Sequence, residues 1–230
     1  MSDNGPFHVN DDDVVLLLSE WHSTVNDSSI SRVRSGDASV EEVFRSLIKL
    51  YSSAGRFYHN LSHIKFLLSS ALAIRERLAD YNAVRFAIWF HDAIYDTHRT
   101  DNERLSAGLA VDSLRQLDVP DPTVRLVREM IVATERHEVS EGAPDLGAFL
   151  DLDLSILGGP RPVYELYSAA IRKEYAWVPG EIYNKERTRI LNRFLEREII
   201  FFTKEARERL EEQARLNLAW EIESIAPAAS

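Results

Sequence analysis

The spacing of the apolar residues constrains the fold most, because they recur every three or four positions in almost every long segment. This period matches one face of an α-helix and differs from the strict alternation of a half-buried strand. Two representative runs are Val43, Phe44, Leu47, Ile48 and Tyr51, followed by Ile64, Leu67, Leu68, Ala71 and Leu72. The pattern predicts an all-α chain built as a helical bundle.

The segment 82–93 is apolar nearly all round instead of on one face. A helix of this kind has no side that favours water, so it belongs in the interior of a protein. The segment ends in Trp89-Phe-His-Asp92, which brings an imidazole and a carboxylate next to the predicted core. Burial of such groups is costly unless they are paired or bound to a cation.

Several helix ends are predicted from capping patterns. Ser39-Val-Glu-Glu42 and Thr100-Asp-Asn-Glu103 have the form of capping boxes, and Asp121-Pro122 that of an N-cap and first helical residue. The resulting helices run from Thr100 to Leu117 and over 121–137, 161–176 and 181–202, with a last one from Thr203. Only Ala148 to Leu154 alternates like a strand, and it is left open. We expect one domain over residues 1–225, core motifs over 56–157 and a frayed tail over 226–230.

The charge and the composition exclude several functions. Lys and Arg number 27 against 37 Asp and Glu, a formal charge of −10. This balance argues against a partner such as a nucleic-acid polymer, but not against a small anionic substrate. The chain has no cysteine, which excludes disulfides, thiolate zinc sites and cysteine nucleophiles. Neither a signal peptide nor a membrane span is predicted, so we expect a soluble, cytoplasmic protein.

Four local clusters combine histidine with carboxylate or with a second histidine. They are Tyr58-His-Asn-Leu-Ser-His63, the pair His91-Asp92, the pair Asp151 and Asp153 in an apolar stretch, and Ala133-Thr-Glu-Arg-His137. Imidazole and carboxylate without thiolate suit a divalent ion such as Mn²⁺, Fe²⁺, Co²⁺, Ni²⁺ or Zn²⁺. Taken alone, each cluster also has a structural explanation: an isolated His-Asp pair is more often a simple ion pair, and His137 suits a helix C-terminus.

The order of these clusters resembles the HD superfamily, whose signature is an early His, an adjacent His-Asp pair and a distant Asp on separate helices. More narrowly, the chain looks like a bacterial family of predicted metal-dependent HD phosphohydrolases. The matching stretches are Tyr58 to His63, Trp89 to Asp96 with Asp101-Asn-Glu103, and Leu150 to Leu157, within a resemblance that covers roughly residues 40 to 220. The resemblance implies an HD-type helical bundle and one divalent metal ion, Mg²⁺ included.

Cyclic-nucleotide phosphodiesterases carry a similar Tyr-His-Asn-x-x-His stretch, and this likeness implies roles for single residues. His59 would be the general acid, and His63, His91, Asp92 and Asp153 the metal ligands. An Asp-Leu-Ser segment in the same family favours Asp153 over Asp151. The further histidine of that family is absent here, where Tyr95-Asp96 stands instead. This departure argues against a second metal, although His137 or Asp96 could support one.

The resulting hypothesis is a phosphomonoesterase or phosphodiesterase that hydrolyses a small, nucleotide-like phosphate ester with a metal-activated water. Arg56 and Asp96 would contact the substrate, with Arg172 and Arg187 as weaker candidates, although Arg56 is equally well explained as a surface charge. The alternatives are an idle metal- or nucleotide-binding sensor, then a helical interaction protein with structural histidines. Oxygen chemistry at two metals ranks lowest. A homodimer through the amphipathic last helix stays open.

Overall fold

A computed structural model describes residues 7–29, 38–139 and 144–226, and these form α-helices joined by turns, without a strand. The all-α prediction is therefore confirmed. The helices are α1 Asp11–Ser28, α2 Ala38–Tyr51, α3 Leu61–Ala73, α4 Tyr81–Phe90, α5 Asn102–Gln116, α6 Asp121–Ala133, α7 Pro144–Leu154, α8 Arg161–Glu174, α9 Gly180–Leu195 and α10 Lys204–Ile225. None of the helices in this described part is both long and apolar enough to cross a bilayer.

The chain divides into two compact units, Met1–Leu150 and Asp151–Ser230, and α7 crosses the boundary between them. The prediction that residues 1–225 make up one domain stays a prediction. Residues 227–230, most of the predicted tail, lie outside the described residues.

The first unit is built around α4, as its all-round apolar sequence predicts. Every residue from Ala83 to Phe90 is buried, and α1, α3, α5 and α6 all pack against this helix. Trp21 of α1 makes edge-to-face contacts with three aromatic rings of α4. Its indole also donates a hydrogen bond to the Val40 carbonyl 3.0 Å away. The polar residues that follow Phe90 therefore emerge directly from the core.

The second unit has its own core, formed by Leu154, Leu157, Tyr164, Leu191, Ile200, Phe201, Ala214 and Leu218. Gly158 lies so close to α10 that an added Cβ would come within 2.6 Å of the Leu210 Cβ atom. Only glycine fits this approach. Asn217 of α10 reinforces it by donating to the carbonyls of Leu157 and Gly159, at 2.7 and 2.8 Å.

Several predicted helix ends were wrong. Both predicted capping boxes fail: Ser39 lies inside α2, and α5 starts after Asp101, whose carboxylate pairs with Arg99 instead of capping. Helix α6 stops at Ala133, before the predicted end at His137. Thr203, in contrast, caps α10 as predicted, because its side chain accepts a hydrogen bond from the Ala206 amide.

Two elements add to the predicted set. The stretch 148–154 is helical, as the second half of α7. Helix α1 was not predicted at all, although Asn10 and Asp13 form a capping box that marks its start.

Candidate metal centre

The first histidine motif places His63 at the start of α3. Asn60 is the N-cap of this helix, and its side-chain oxygen accepts a hydrogen bond from the Ser62 amide at 2.9 Å. His63 therefore lies in the first turn, where it is 3% exposed. His59 precedes the helix, as expected if Asn60 is the cap.

The His-Asp pair follows the end of α4. His91 is the C-cap residue and is 1% exposed, and its Nδ1 atom lies 3.0 Å from the carbonyl oxygen of Ile88. Because a carbonyl only accepts, Nδ1 carries a hydrogen and donates it. A neutral imidazole then has its lone pair on Nε2, the arrangement typical of metal-binding histidines.

Three ligand atoms converge within the first unit. The Nε2 atoms of His63 and His91 lie 3.2 Å apart, and Oδ2 of Asp92 lies 3.1 Å from His91 Nε2 and 4.0 Å from His63 Nε2. Ligand atoms about 2.0–2.2 Å from one ion are separated by roughly 3–3.5 Å. Two sides of the triangle have this length, and the third, between His63 and Asp92, is longer. A proton can bridge only one pair of these atoms at a time, whereas one cation could contact all three.

Helix α7 carries the two candidate aspartates, and they are used differently. The Asp151 carboxylate accepts hydrogen bonds from the amides of Phe202 and Thr203, both at 2.7 Å. Burial raises the pKa of Asp151 above its ordinary value, although these hydrogen bonds act in the opposite direction. Asp151 is therefore a structural cap for the chain that enters α10.

Asp153 differs from Asp151 in being partly exposed. Asp153 is one helical turn beyond Phe149, whose ring contacts the His91 ring edge-to-face at 5.9 Å between centroids. The imidazoles of His63 and His91 with the Asp92 carboxylate could bind a metal ion, and their donor chemistry fits the predicted one. Asp153 as a further ligand stays a prediction.

His59 lies beside these histidines in a layer of aromatic rings. Its imidazole stacks on Tyr95 with 4.2 Å between centroids and 29° between planes, and its centroid is 6.1 Å from that of His63. The ring is partly exposed. Tyr95 received no role from the sequence, and its one signal is its place in the stretch Trp89 to Asp96. The role of His59 as a general acid stays a prediction.

The predicted substrate-binding residues have partners within the chain. Arg56 donates to the carbonyls of His59, Asp92 and Ala93. Asp96 is exposed and accepts from the backbone amide of His98, which lowers the pKa of Asp96 below its ordinary value together with the hydrogen bond from the His98 ring. Their roles in substrate binding stay predictions.

The two weaker candidates for substrate binding, Arg172 and Arg187, also form hydrogen bonds within the chain. Arg172 donates to the carbonyls of Tyr175 and Val178, and Arg187 forms a bidentate pair with Glu221. His137 follows the end of α6 with a φ of 50°, and it is not part of the metal-binding group found among the described residues.

No family model, curated protein or solved structure matches this chain. The interpretation of the site therefore rests on its geometry and on the residues themselves.

Proposed function

We propose that the chain is a metal-dependent phosphohydrolase that acts on a small, nucleotide-like phosphate ester. The observation that supports it is the convergence of His63 Nε2, His91 Nε2 and Asp92 Oδ2 at 3.1–4.0 Å from one another, in the first turn of α3 and just after α4. The carboxylate and the two imidazoles place three ligand atoms around a common point. A divalent cation at this point would stabilise all three.

The position of each residue in the site indicates its role in holding the metal ion. His63, His91 and Asp92, joined by Asp153, would hold the ion, and the Ile88 carbonyl orients the His91 ring. When bound, a divalent ion supplies Lewis-acid activation of water and offsets negative charge on the phosphate.

His59 is the residue suited to proton transfer. Its ring is held by Tyr95 and lies beside His63, yet it is partly exposed. An imidazole in this position can donate a proton to the leaving oxygen of the ester, because its ordinary pKa is close to neutral pH.

The experiment compares metal content and phosphate release in one set of proteins. The full chain is stripped with a chelator, reloaded with Mn²⁺ and assayed on nucleoside monophosphates, cyclic nucleotides and sugar phosphates. We expect release only with metal, and His91→Asn should lose bound metal and more than about 100-fold of the release rate. His59→Asn should keep the metal and lose about 10²–10⁴-fold of the rate.

His22→Asn is the matched control, since His22 pairs with Glu41 in another part of the first unit. It should keep both metal and activity. Full phosphate release by the metal-free protein would contradict the proposal. Bound metal with no release from any ester would instead indicate a sensor.

A further inference from the structure

Arg56 connects two segments that are far apart in the sequence. It lies between α2 and α3, and its Nη1 atom donates to the carbonyls of His59 at 2.9 Å and Asp92 at 2.7 Å. Its Nη2 atom donates to the Ala93 carbonyl at 2.8 Å. One side chain therefore joins the segment that leads into His63 to the segment that carries His91 and Asp92.

Two aromatic rings hold the guanidinium group in place. Its carbon atom lies 5.1 Å from the centroid of the Tyr51 ring and 5.4 Å from that of Tyr95. The Tyr51 hydroxyl is itself anchored by donating to the Trp89 carbonyl at 3.1 Å. Tyr95 in turn stacks on His59. Cation–π contacts of this kind are strongest where water is excluded, so they favour a fixed orientation of Arg56.

Two of the three carbonyls that Arg56 reaches, those of Asp92 and Ala93, lie just beyond the negative end of the α4 dipole. Helix α4 ends at Phe90, so Asp92 and Ala93 follow its last turn. The last carbonyl groups of a helix lack partners within the helix, and a cation there is favourable. Arg56 thus fixes the chain end that carries two of the proposed ligands.

The number of N–H donors that Arg56 already uses argues against phosphate binding by this residue. A guanidinium carries five N–H donors. The Nε atom donates to the Ser53 hydroxyl at 3.2 Å, and with the three carbonyls this uses four of them within the described residues. Bidentate binding of a phosphate requires two adjacent donors. Arg56 has one left.

We propose that Arg56 is a positioning residue, which sets the distance between His63 and the His91-Asp92 pair, and that it does not bind the substrate phosphate. The inference rests on the proposed function only in that these three residues hold the metal. The clamp itself can be tested without any metal.

The test uses Arg56→Ala, Arg56→Lys and, as a matched control, Arg99→Ala. Arg99 is exposed on the loop after α4, and it donates to the Asp101 carboxylate instead of to backbone carbonyls. Co²⁺ titration followed by visible absorption measures affinity and ligand geometry. We expect Arg56→Ala to bind Co²⁺ about 10–100-fold more weakly with an altered spectrum. Arg56→Lys should fall in between, because an ammonium group cannot reach all three carbonyls in the same geometry, and Arg99→Ala should match the wild type.

Hydrogen exchange of the metal-free proteins gives the independent measurement. In Arg56→Ala and Arg56→Lys, amides in segments 57–64 and 91–96 should exchange faster than in the wild type. If Arg56→Ala does not fold, Arg56→Lys carries both measurements. Wild-type protein that binds no Co²⁺ would refute the proposed function, while the exchange data would still decide on the clamp.

One pattern would overturn the inference. Arg56 would be a phosphate ligand if its variants kept the Co²⁺ affinity, the spectrum and the exchange rates of the wild type while the Mn²⁺-loaded protein lost affinity for inorganic phosphate. Unchanged exchange and Co²⁺ binding without that loss would also refute the clamp.

Discussion

Each unit contains a cluster of buried polar side chains, and the two clusters differ in how their charges are balanced. In the second unit, Arg187 forms two hydrogen bonds with Glu221, at 2.8 and 3.1 Å, and the Tyr164 hydroxyl donates to the same carboxylate at 2.5 Å. Every one of these contacts joins a donor to an acceptor. The cluster is complete as the chain supplies it.

The cluster in the first unit differs in that the atoms facing one another are all possible metal ligands. Its Nε2 and Oδ2 atoms come from two imidazoles and a carboxylate, and the one fixed hydrogen of His91 already points to Ile88. A single divalent cation could contact all three of these atoms. A buried cluster made of donor–acceptor pairs stabilises the fold, whereas a cluster of ligand atoms facing one another can bind an ion. This pairing of atoms distinguishes the two kinds of cluster better than burial does.

The largest expected effect comes from breaking the balanced cluster. Glu221→Ala should destabilise the protein by about 3–5 kcal/mol, because it leaves the buried Arg187 charge without its partner. Urea unfolding with metal removed measures this loss. Glu186→Ala is the control, since its pair with Arg189 is exposed and should be worth less than about 1 kcal/mol.

Replacing both members of the buried pair tests the same explanation. Arg187→Met combined with Glu221→Leu should recover most of the stability, as apolar replacements of buried ion pairs often do. A loss for Glu221→Ala no larger than that of Glu186→Ala would show that the second cluster contributes little to the fold.

The cluster in the first unit should respond to metal instead. Mn²⁺ at 100 times its Kd should raise the free energy of unfolding of the wild type by about 2.7 kcal/mol. Asp92→Asn should lose most of this gain, because the amide keeps the shape but not the charge of the ligand. Without metal the variant should stay within about 1 kcal/mol of the wild type, since Asp92 is partly exposed.

Asp101→Asn is the control for this comparison, as Asp101 is a carboxylate outside the proposed ligand set. It should keep the full Mn²⁺ effect in the same unfolding experiment. An equal metal effect in wild type and Asp92→Asn would remove Asp92 from the ligand set.

Much of the fold follows from the sequence because helical periodicity is a local property. The failures have local causes as well. The stretch Ala148 to Leu154 gives no clear helical pattern because burial of most of its residues removes the contrast between its faces. Helix α1 is absent from the predicted set, although Asn10 and Asp13 form the capping box that marks its start.

The sequence supports the proposed ligand set only in part. The order of His63, His91-Asp92 and a later aspartate predicts a metal site, and the resemblance favours Asp153 over Asp151. That Asp151 instead binds the amides of residues 202 and 203, about fifty positions away, is visible only in the structure. The hydrogen bonds of Arg56 to the carbonyls of Asp92 and Ala93 span 36 and 37 residues, and no sequence pattern predicts them. Contacts of this kind require the tertiary structure.

The smallest expected effect is the pH dependence of the balanced cluster. Burial opposes ionisation of Glu221, but the hydrogen bonds and charge of Arg187 outweigh it and hold the pKa of Glu221 below its ordinary value of 4.5. A carboxyl group with a lowered pKa in the folded state adds stability above its unfolded pKa and loses it as the pH falls through the folded value. The stability advantage of the wild type over Glu221→Gln should therefore be constant from about pH 7 to 5 and shrink below about pH 4.5.

Urea unfolding of both proteins across this pH range measures the difference, and subtracting the variant cancels the other carboxylates that titrate in the same window. An advantage that instead grows as the pH falls from about 7 would mean that Glu221 is protonated in the folded protein and is not ionised against Arg187. The second cluster would then contain an exchangeable proton on Glu221 in place of a permanent ion pair. The contrast between the two clusters would be smaller than their geometry indicates.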